Sequence, residues 1–318
     1  MKFLQGRLTV KKDLLKLLDL SPDEISEILN LADKMKYNLR HGLKHNYLEG
    51  KTLAMIFTKA STRTRVSFET GMYQLGGHVV VLSAEGSQLG RGEPIKDTAR
   101  VLSRYCDGIM IRTYAQSDVE ELAKFATVPV INGLTDFEHP CQVLADLMTM
   151  RERLSSLKGA KVCWIGDGNN MANSMIAGAL KCGMRVSCAC PAGFEPSPEV
   201  LEFASSFGDR FILTTNISEA AKDADVLATD VWCSMGQEAE TERRIKAFKG
   251  FQINDETLSY AKPNAIVLHC LPAHRGEEIT DEVFERHASE IFDEAENRLH
   301  VQKAVMTLLM ADSFDLDI

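Results

Sequence analysis

The sequence predicts an α/β protein: two parallel-sheet α/β domains with helices on both faces, joined by interdomain helices. Three observations predict it. The chain has 318 residues, which favours two domains of roughly 150 residues each. Apolar runs of strand length alternate with segments of helical period in two successive series, and that alternation means parallel sheets covered on both faces. The polar motifs fall just after strands, beyond the strand ends where ligands of such sheets sit.

The elements follow in order. Ser21-Pro22-Asp23-Glu24 starts a helix: Ser21 caps, Pro22 suits the first helical position and Glu24 completes a capping box. Ile25, Ile28, Leu29, Ala32 and Met35 recur at helical spacing, and Gly42 ends the element. The first alternating series has strands at 52–57, 78–82, 108–111 and 128–131, separated by helices at 64–75, 95–105 and 119–126. A longer helix is expected over 142–157, ended by Lys158-Gly159. The second series has strands at 161–165, 185–189, 211–214, 226–229 and 265–268, with helices at 172–181, 198–207 and 240–248. A last helix is expected over 297–311. The two series join through the long helix near residue 150.

Composition excludes several classes. Hydrophobic residues make up 45% and charged residues 25% of the chain, as in soluble globular proteins. The net charge of −9 argues against a general nucleic-acid binder. No run approaches about 18 apolar residues, so no membrane span is expected. The start, Met1-Lys-Phe-Leu-Gln-Gly-Arg7, lacks a signal-peptide core, so a cytoplasmic location is the expectation. Eight cysteines include no Cys-x-x-Cys pair and read as reduced, mostly small core residues. Cys188 and Cys190 share one face if their segment is a strand. No His-Glu-x-x-His occurs, so no metal is expected.

Ser61-Thr62-Arg63-Thr64-Arg65 stands where a strand turns into a helix. Such a corner presents unpaired N–H groups and the positive end of a helix dipole. Hydroxyls and two guanidiniums add donors, which suits a phosphate or another dense anion. Gly86-Ser87-Gln88-Leu89-Gly90-Arg91-Gly92 reads as a lid, a partner contact or a plain surface loop. Arg112 directly follows a strand of the same sheet as the corner. His139-Pro140-Cys141-Gln142 places an imidazole and an amide beyond another strand, either as structure or as chemistry. Gly166-Asp167-Gly168-Asn169-Asn170 imitates a dinucleotide fingerprint, but Met171 occupies the third glycine position and no ribose acid is well placed before Glu195. An amide-rich turn holding a polar small molecule fits better. Asp230, with Ser234-Met235-Gly236, suits an α-amino acid: the carboxylate for the ammonium, the hydroxyl and N–H groups for the carboxylate. His269-Cys270-Leu271-Pro272 offers a thiol and carbonyls, which an amine can use and a phosphate cannot.

Together, in this order and spacing, the motifs at Ser61, His139, Asp230 and His269 resemble the aspartate/ornithine carbamoyltransferase family, from Leu14 to the final helix. The last two resemble the ornithine-specific members. The resemblance implies a carbamoyl-phosphate-binding domain over 1–148, an ornithine-binding domain over 149–292, and a C-terminal helix over 293–318 that returns to the first domain. It implies homotrimers or multiples of trimers and no cofactor. Ser61, Thr62, Arg63 and Thr64 would hold the phosphate. Arg112, His139 and Gln142, with the backbone of Pro140 and Cys141, would hold the carbamoyl end. Cys141 stands where relatives often carry Thr. Gln88 would reach a neighbour's site, and Arg298 would complete the carbamoyl phosphate site. Asn170, Asp230, Ser234 and Met235 would bind the amino-acid head of ornithine. Cys270 and Leu271 would meet its δ-amino group and also belong to the carbamoyl phosphate site. Thr64, Arg112, His139 and Cys270 would be the catalytic set. The implied reaction carries the carbamoyl group of carbamoyl phosphate to the δ-amino group of L-ornithine, giving L-citrulline and phosphate in arginine metabolism. The alternatives are a putrescine or N-acetylornithine carbamoyltransferase, or a non-catalytic carbamoyl-phosphate-binding relative.

Overall fold

The computed structural model describes residues 13–83, 92–234 and 238–312. The chain divides into two compact units. One runs up to Thr135 and resumes at Leu299; the other is Asp136–Arg298. The expected domain lines lie at 148/149 and 292/293. The lines fall where they do for a packing reason. The helix over 140–153 and the first part of the last helix bury polar side chains against each other, so both belong to the second unit.

In the first unit, α1 (Pro22–Arg40) opens with the predicted capping box. Ser21 Oγ accepts from the Glu24 N–H at 3.2 Å, and Glu24 Oε2 accepts from the Ser21 N–H at 2.7 Å. Then come β1 (Thr52–Phe57), α2 (Thr62–Gln74), β2 (His78–Ser83), α3 (Ile95–Leu102), β3 (Gly108–Arg112), α4 (Gln116–Phe125) and β4 (Val130–Leu134). The four strands pair in parallel in the order β2-β1-β3-β4. Ala54, Ile56, Ile109, Ile111 and Val130 of this sheet bury against Ala99 of α3 and Val119 and Leu122 of α4. Burying each larger aliphatic contributes about 1.5–3 kcal/mol. The chain visits β2 on one side of β1 and then β3 on the other. That reversal between β1 and β3 opens a crevice beyond their C-terminal ends.

The second unit contains α5 (Pro140–Arg153), β5 (Lys161–Ile165), α6 (Asn170–Lys181), β6 (Arg185–Ala189), α7 (Pro198–Ser205), β7 (Phe211–Thr214), α8 (Ile217–Ala221), β8 (Val226–Thr229), α9 (Thr241–Ala247), α10 (Asp255–Tyr260), β9 (Ile266–His269), α11 (Asp281–Arg286) and the start of α12 (Ala288–Met310). Its parallel sheet runs β7-β6-β5-β8-β9. Cys163, Ile165, Leu227 and Val267 line the core with Ala220 and Ala221 of α8 and Val283 and Phe284 of α11. Here the order reverses between β5 and β8.

The predicted fold class is what the structure has. Most element ends differ from the expectation by one to three residues, and four differences have local reasons. β4 runs through Asn132 to Leu134, later than predicted, because the Asn132 Nδ2 finds an acceptor in the Leu15 carbonyl at 2.8 Å. α5 starts at Pro140, two residues early, because proline is favoured in the first turn. α9 starts at Thr241, behind a short 3-10 turn. α12 starts at Ala288, nine residues early, because its acidic first half faces polar partners on α5.

Candidate active site

In the first unit the site grows from the β1–α2 corner. Ser61 is extended at φ −164° and caps α2, its Oγ accepting from the Thr64 N–H at 3.1 Å. Thr62 and Arg63 stand exposed in the first turn, and Thr64 is buried. Arg65 leaves the group: its Nε pairs with Glu69 at 2.8 Å along the helix. α2 carries no acid in its first turn, so nothing there cancels the positive end of the dipole. Arg112 closes β3 next to β1, in register with Phe57. The β3–β4 pairing shifts between Ile111 and Arg112 because Gly133 adds one residue to β4, and such a bulge re-aims the side chain that follows it. Arg112 is buried and its Nη1 lies 3.5 Å from Thr64 Oγ1. The structure thus brings Thr64 and Arg112 together at the switch point of the first sheet. Sequence reading missed Lys59, buried two residues before the corner with its ammonium 4.7 Å from the Tyr114 ring centroid.

In the second unit, His139 precedes α5 at φ −126°, and its N–H donates to Ser174 Oγ at 2.8 Å. Gln142 is buried; its Nε2 lies 2.9 Å from both Asp146 Oδ1 and Glu294 Oε1. Cys141 is buried and its thiol is pushed up to about 12 by burial. It is no nucleophile at neutral pH. Arg298 is buried on α12, close enough to act electrostatically on Cys141, Asp146 and Glu294.

The turn after β5 and the loop after β8 meet at the second switch point. Gly168 is required there, because a Cβ would lie 2.2 Å from the Glu195 carbonyl carbon. Asn169 caps α6 through Oδ1 and donates through Nδ2 to Asp230 Oδ2 at 2.8 Å. Asp230 Oδ1 also accepts from the Val231 N–H at 2.8 Å and from Cys270 Sγ at 3.1 Å. A carboxylate offers about four acceptor positions, so three protein donors leave one for a ligand cation. Burial, and after it the charge of Asp230, holds the Cys270 thiol well above its ordinary range. Cys270 is therefore a hydrogen-bond donor at neutral pH. His269 Nδ1 accepts from the Leu271 N–H at 2.9 Å, so its proton sits on Nε2, which donates to Glu278 Oε1 at 2.9 Å. Leu271 itself has φ +59°, uncommon for a residue with a Cβ and concentrated at functional sites. Asp230, His269 and Cys270 bring donor atoms within 4.8 Å of one another. Both imidazole nitrogens and the thiol are already engaged, so the set works as a hydrogen-bond cluster. Asp167 pairs with Arg244 at 2.7 Å, both buried, a pairing the sequence did not disclose.

Two domain models match along the chain. One, described as aspartate/ornithine carbamoyltransferase, carbamoyl-P binding domain, matches residues 12–152. The other, described as aspartate/ornithine carbamoyltransferase, Asp/Orn binding domain, matches residues 158–309. This chain belongs to the aspartate/ornithine carbamoyltransferase family. It is 56% identical over 303 residues to the ornithine carbamoyltransferase of Carboxydothermus hydrogenoformans, covering 94% of this chain and 97% of that one. It is 57% identical over 302 residues to that of Syntrophotalea carbinolica, covering 95% of this chain and 100% of that protein. The solved ornithine carbamoyltransferase of Pyrococcus furiosus superposes with a TM-score of 0.90 at 53% identity, covering 95% of this chain and 98% of that one.

The two units carry the family's motifs separately. Ser61, Thr62, Arg63, Thr64 and Arg112 stand on the first. His139, Pro140, Cys141, Gln142, Asn170, Asp230, Ser234, Cys270, Leu271 and Arg298 stand on the second. Gln88 and Met235 lie outside the described residues. The sequence places Asn169 only in an amide-rich turn and gives no sign of Asp146 and Glu294. An Asn before a helix start signals a cap, but nothing local announces two carboxyls 148 positions apart meeting on one amide.

Proposed function

We propose that this enzyme transfers the carbamoyl group of carbamoyl phosphate to the δ-amino group of L-ornithine, giving L-citrulline and phosphate. The observation that carries the reading is the near-complete match to relatives named ornithine carbamoyltransferase at 53–57% identity. The two half-sites give it a mechanism. The amine nitrogen attacks the carbamoyl carbon, a tetrahedral intermediate forms, and the C–O bond to phosphate breaks with its electron pair. The amine proton goes to solvent or phosphate. A mixed anhydride is already activated, so the task is positioning and charge stabilisation. Ser61, Thr62, Arg63 and the open N–H groups of the α2 start hold the phosphate and stabilise it as it leaves. Thr64, Arg112 and His139 donate to the carbonyl oxygen as charge develops on it. The backbone of Pro140 and Cys141, with Arg298, completes the carbamoyl phosphate contacts. Gln142 meets the carbamoyl amide. On the acceptor side, the last open position of Asp230 takes the α-ammonium, Asn170, Ser234 and Met235 take the carboxylate end, and Cys270 and Leu271 face the δ-amine. Gln88 acts in a neighbouring subunit.

We also assign an assembly of trimers or multiples of trimers, a cytoplasmic location and a place in arginine biosynthesis. Support for assembly comes from the first unit. Its edge strand β2 has a half-exposed pattern, Val80 is 40% exposed, and Val66 and Tyr73 on α2 are 55% and 81% exposed. Such apolar side chains fit a protein partner. All eight cysteines are unbridged, as a reducing compartment requires.

The test is a transfer assay with carbamoyl phosphate and, separately, ornithine, putrescine, aspartate and N-acetylornithine, with ureido product and phosphate both measured. Turnover with ornithine alone is the expected result. Turnover with another amine overturns the Asp230 and Ser234 assignment. Tight carbamoyl phosphate binding without turnover makes the chain a non-catalytic relative.

A further inference from the structure

We propose that Asp146 and Glu294 are positioning residues that fix the side-chain amide of Gln142 with its oxygen toward the substrate, and so select a carbamoyl group over an acetyl group. The inference rests on the reading of Gln142 as the contact to the carbamoyl amide.

The geometry is a closed triangle. Gln142 and Asp146 stand one turn apart on α5, and Glu294 reaches them from α12. All three are about 99% buried. The Gln142 Nε2 lies 2.9 Å from Asp146 Oδ1 and 2.9 Å from Glu294 Oε1. Two carboxyl groups present acceptors, so the NH2 end must face them. The oxygen end would meet lone pairs on both. Glu294 Oε2 accepts from the His269 N–H at 2.8 Å, which ties the triangle to the end of β9. Three elements therefore hold the acids, and the acids hold the amide.

The two acids also hydrogen-bond each other, which requires a proton between them. Burial pushes Asp146 up to about 7 and Glu294 above the usual carboxyl range, while Arg298 on α12 pulls both back. The other ionisable groups around them are Asp230 after β8 and Cys270 after β9. One shared proton leaves the pair with enough acceptor oxygens to keep the Gln142 NH2 engaged.

The opposite end of the amide completes the case. Gln142 Oε1 is buried without a partner in the protein. A buried acceptor kept without a donor is poised for one that arrives with a ligand. The carbamoyl NH2 is such a donor. Acetyl phosphate has a methyl group in the same place and the same phosphate, so it fills the space and leaves Oε1 unsatisfied. A Gln142 amide turned the other way would set NH2 against NH2.

The experiment compares carbamoyl phosphate and acetyl phosphate by calorimetry on the full chain, with KM for ornithine as a control. Asp146→Leu removes one acceptor and frees the amide to turn. Carbamoyl phosphate should then bind at least about tenfold more weakly, while acetyl phosphate changes by less than about threefold. Asp146→Asn keeps one donor and one acceptor without needing a proton. It should restore carbamoyl phosphate affinity to within about threefold of wild type and flatten its pH dependence around neutrality. If Asp146→Leu does not fold, as judged by thermal melting, Glu294→Leu is measured the same way. A preference for carbamoyl phosphate that survives these substitutions, or equal weakening of both ligands, overturns the positioning role alone. A wild-type protein with no preference overturns the reading of Gln142 and the positioning with it.

Discussion

Lys303 gives the sharpest test of the packing that carries the β1–α2 corner. It is wholly buried on α12, with Nζ 2.9 Å from Gln74 Oε1 and 3.0 Å from His45 Nε2. His45 Nδ1 bonds the Leu43 carbonyl at 2.9 Å, so its proton is there and Nε2 accepts. Neither partner is a carboxylate, and burial lowers the ammonium from 10.5 to about 8. That depression corresponds to about 3 kcal/mol against the charged form. The sign follows from proton counts. Between about pH 8 and 10.5 the unfolded chain holds a proton that the folded chain has released, so this group makes stability rise with pH through that window. Below pH 8 the full penalty applies. Buried thiols oppose the trend: Cys141 and Cys163 are pushed up to about 12, so they remove stability above about pH 9. Lys303→Met leaves the thiols alone, so the difference between the two proteins isolates the lysine. Urea unfolding followed by far-UV circular dichroism at pH 7.5 and 10 is the assay. Both tryptophans, Trp164 and Trp232, belong to the other unit, so their fluorescence is the wrong probe. Wild type should gain about 2–3 kcal/mol on the variant between the two pH values. Parallel stability curves would refute the buried-ammonium argument.

Ser61→Asp separates capping from anion binding. Aspartate caps as well as serine, so stability should stay within about 0.5 kcal/mol, whereas Ser61→Ala loses about 1 kcal/mol. A carboxylate in the turn should still weaken carbamoyl phosphate binding by at least about tenfold in calorimetry; unchanged binding removes the phosphate from this corner. Asp230→Asn takes a negative neighbour from Cys270. Alkylation of Cys270 by iodoacetamide at pH 8 should then be faster than in wild type, with buried Cys163 as the unreactive internal control; an equal rate contradicts the described thiol–carboxylate contact. The δ-amine of ornithine is protonated below about 10.4 in water, so kcat/KM for ornithine should climb from pH 6 to 9. A flat profile there would mean that deprotonation does not limit capture of the amine.

What the sequence disclosed follows from what is local. Parallel strands buried on both faces read as continuous apolar runs, and residues 52–57, 161–165 and 226–229 are strands as predicted. The Ser61 corner was legible because cap, strand and helix are adjacent in the chain. α8, α10 and α11 were not, because five or six residues hold too little of a 3.6-residue period. The start of α12 was illegible for another reason. Glu290, Asp293, Glu294 and Glu296 look like a solvated charge run, yet Glu294 is buried against Gln142, and its neighbour Asn297 reaches Thr149 Oγ1 at 2.9 Å. Only the partner helix tells a buried acid from an exposed one.

The position of buried polar groups separates structure from chemistry more firmly than their number does. An apolar side chain of similar volume is often as stable as a buried charged one, so each buried ionisable group raises the question of what keeps it there. Lys303 has its hydrogen-bond partners on α2 and in the segment before β1, away from the strand ends, and its removal tests packing. Asp167 also has a full account: burial raises it to about 6, and Arg244 restrains that rise while also donating to the Trp232 carbonyl at 2.9 Å, so the pair fixes the loop after β8 to the turn after β5. Asp146 and Glu294 differ from both. Their shared contact is an amide whose other end is buried and unanswered by the protein. An unanswered acceptor destabilises the empty protein by about 1–3 kcal/mol, and a hydrogen bond to arriving substrate recovers it. Stability surrendered at Gln142 is therefore available as selectivity for a ligand that donates there.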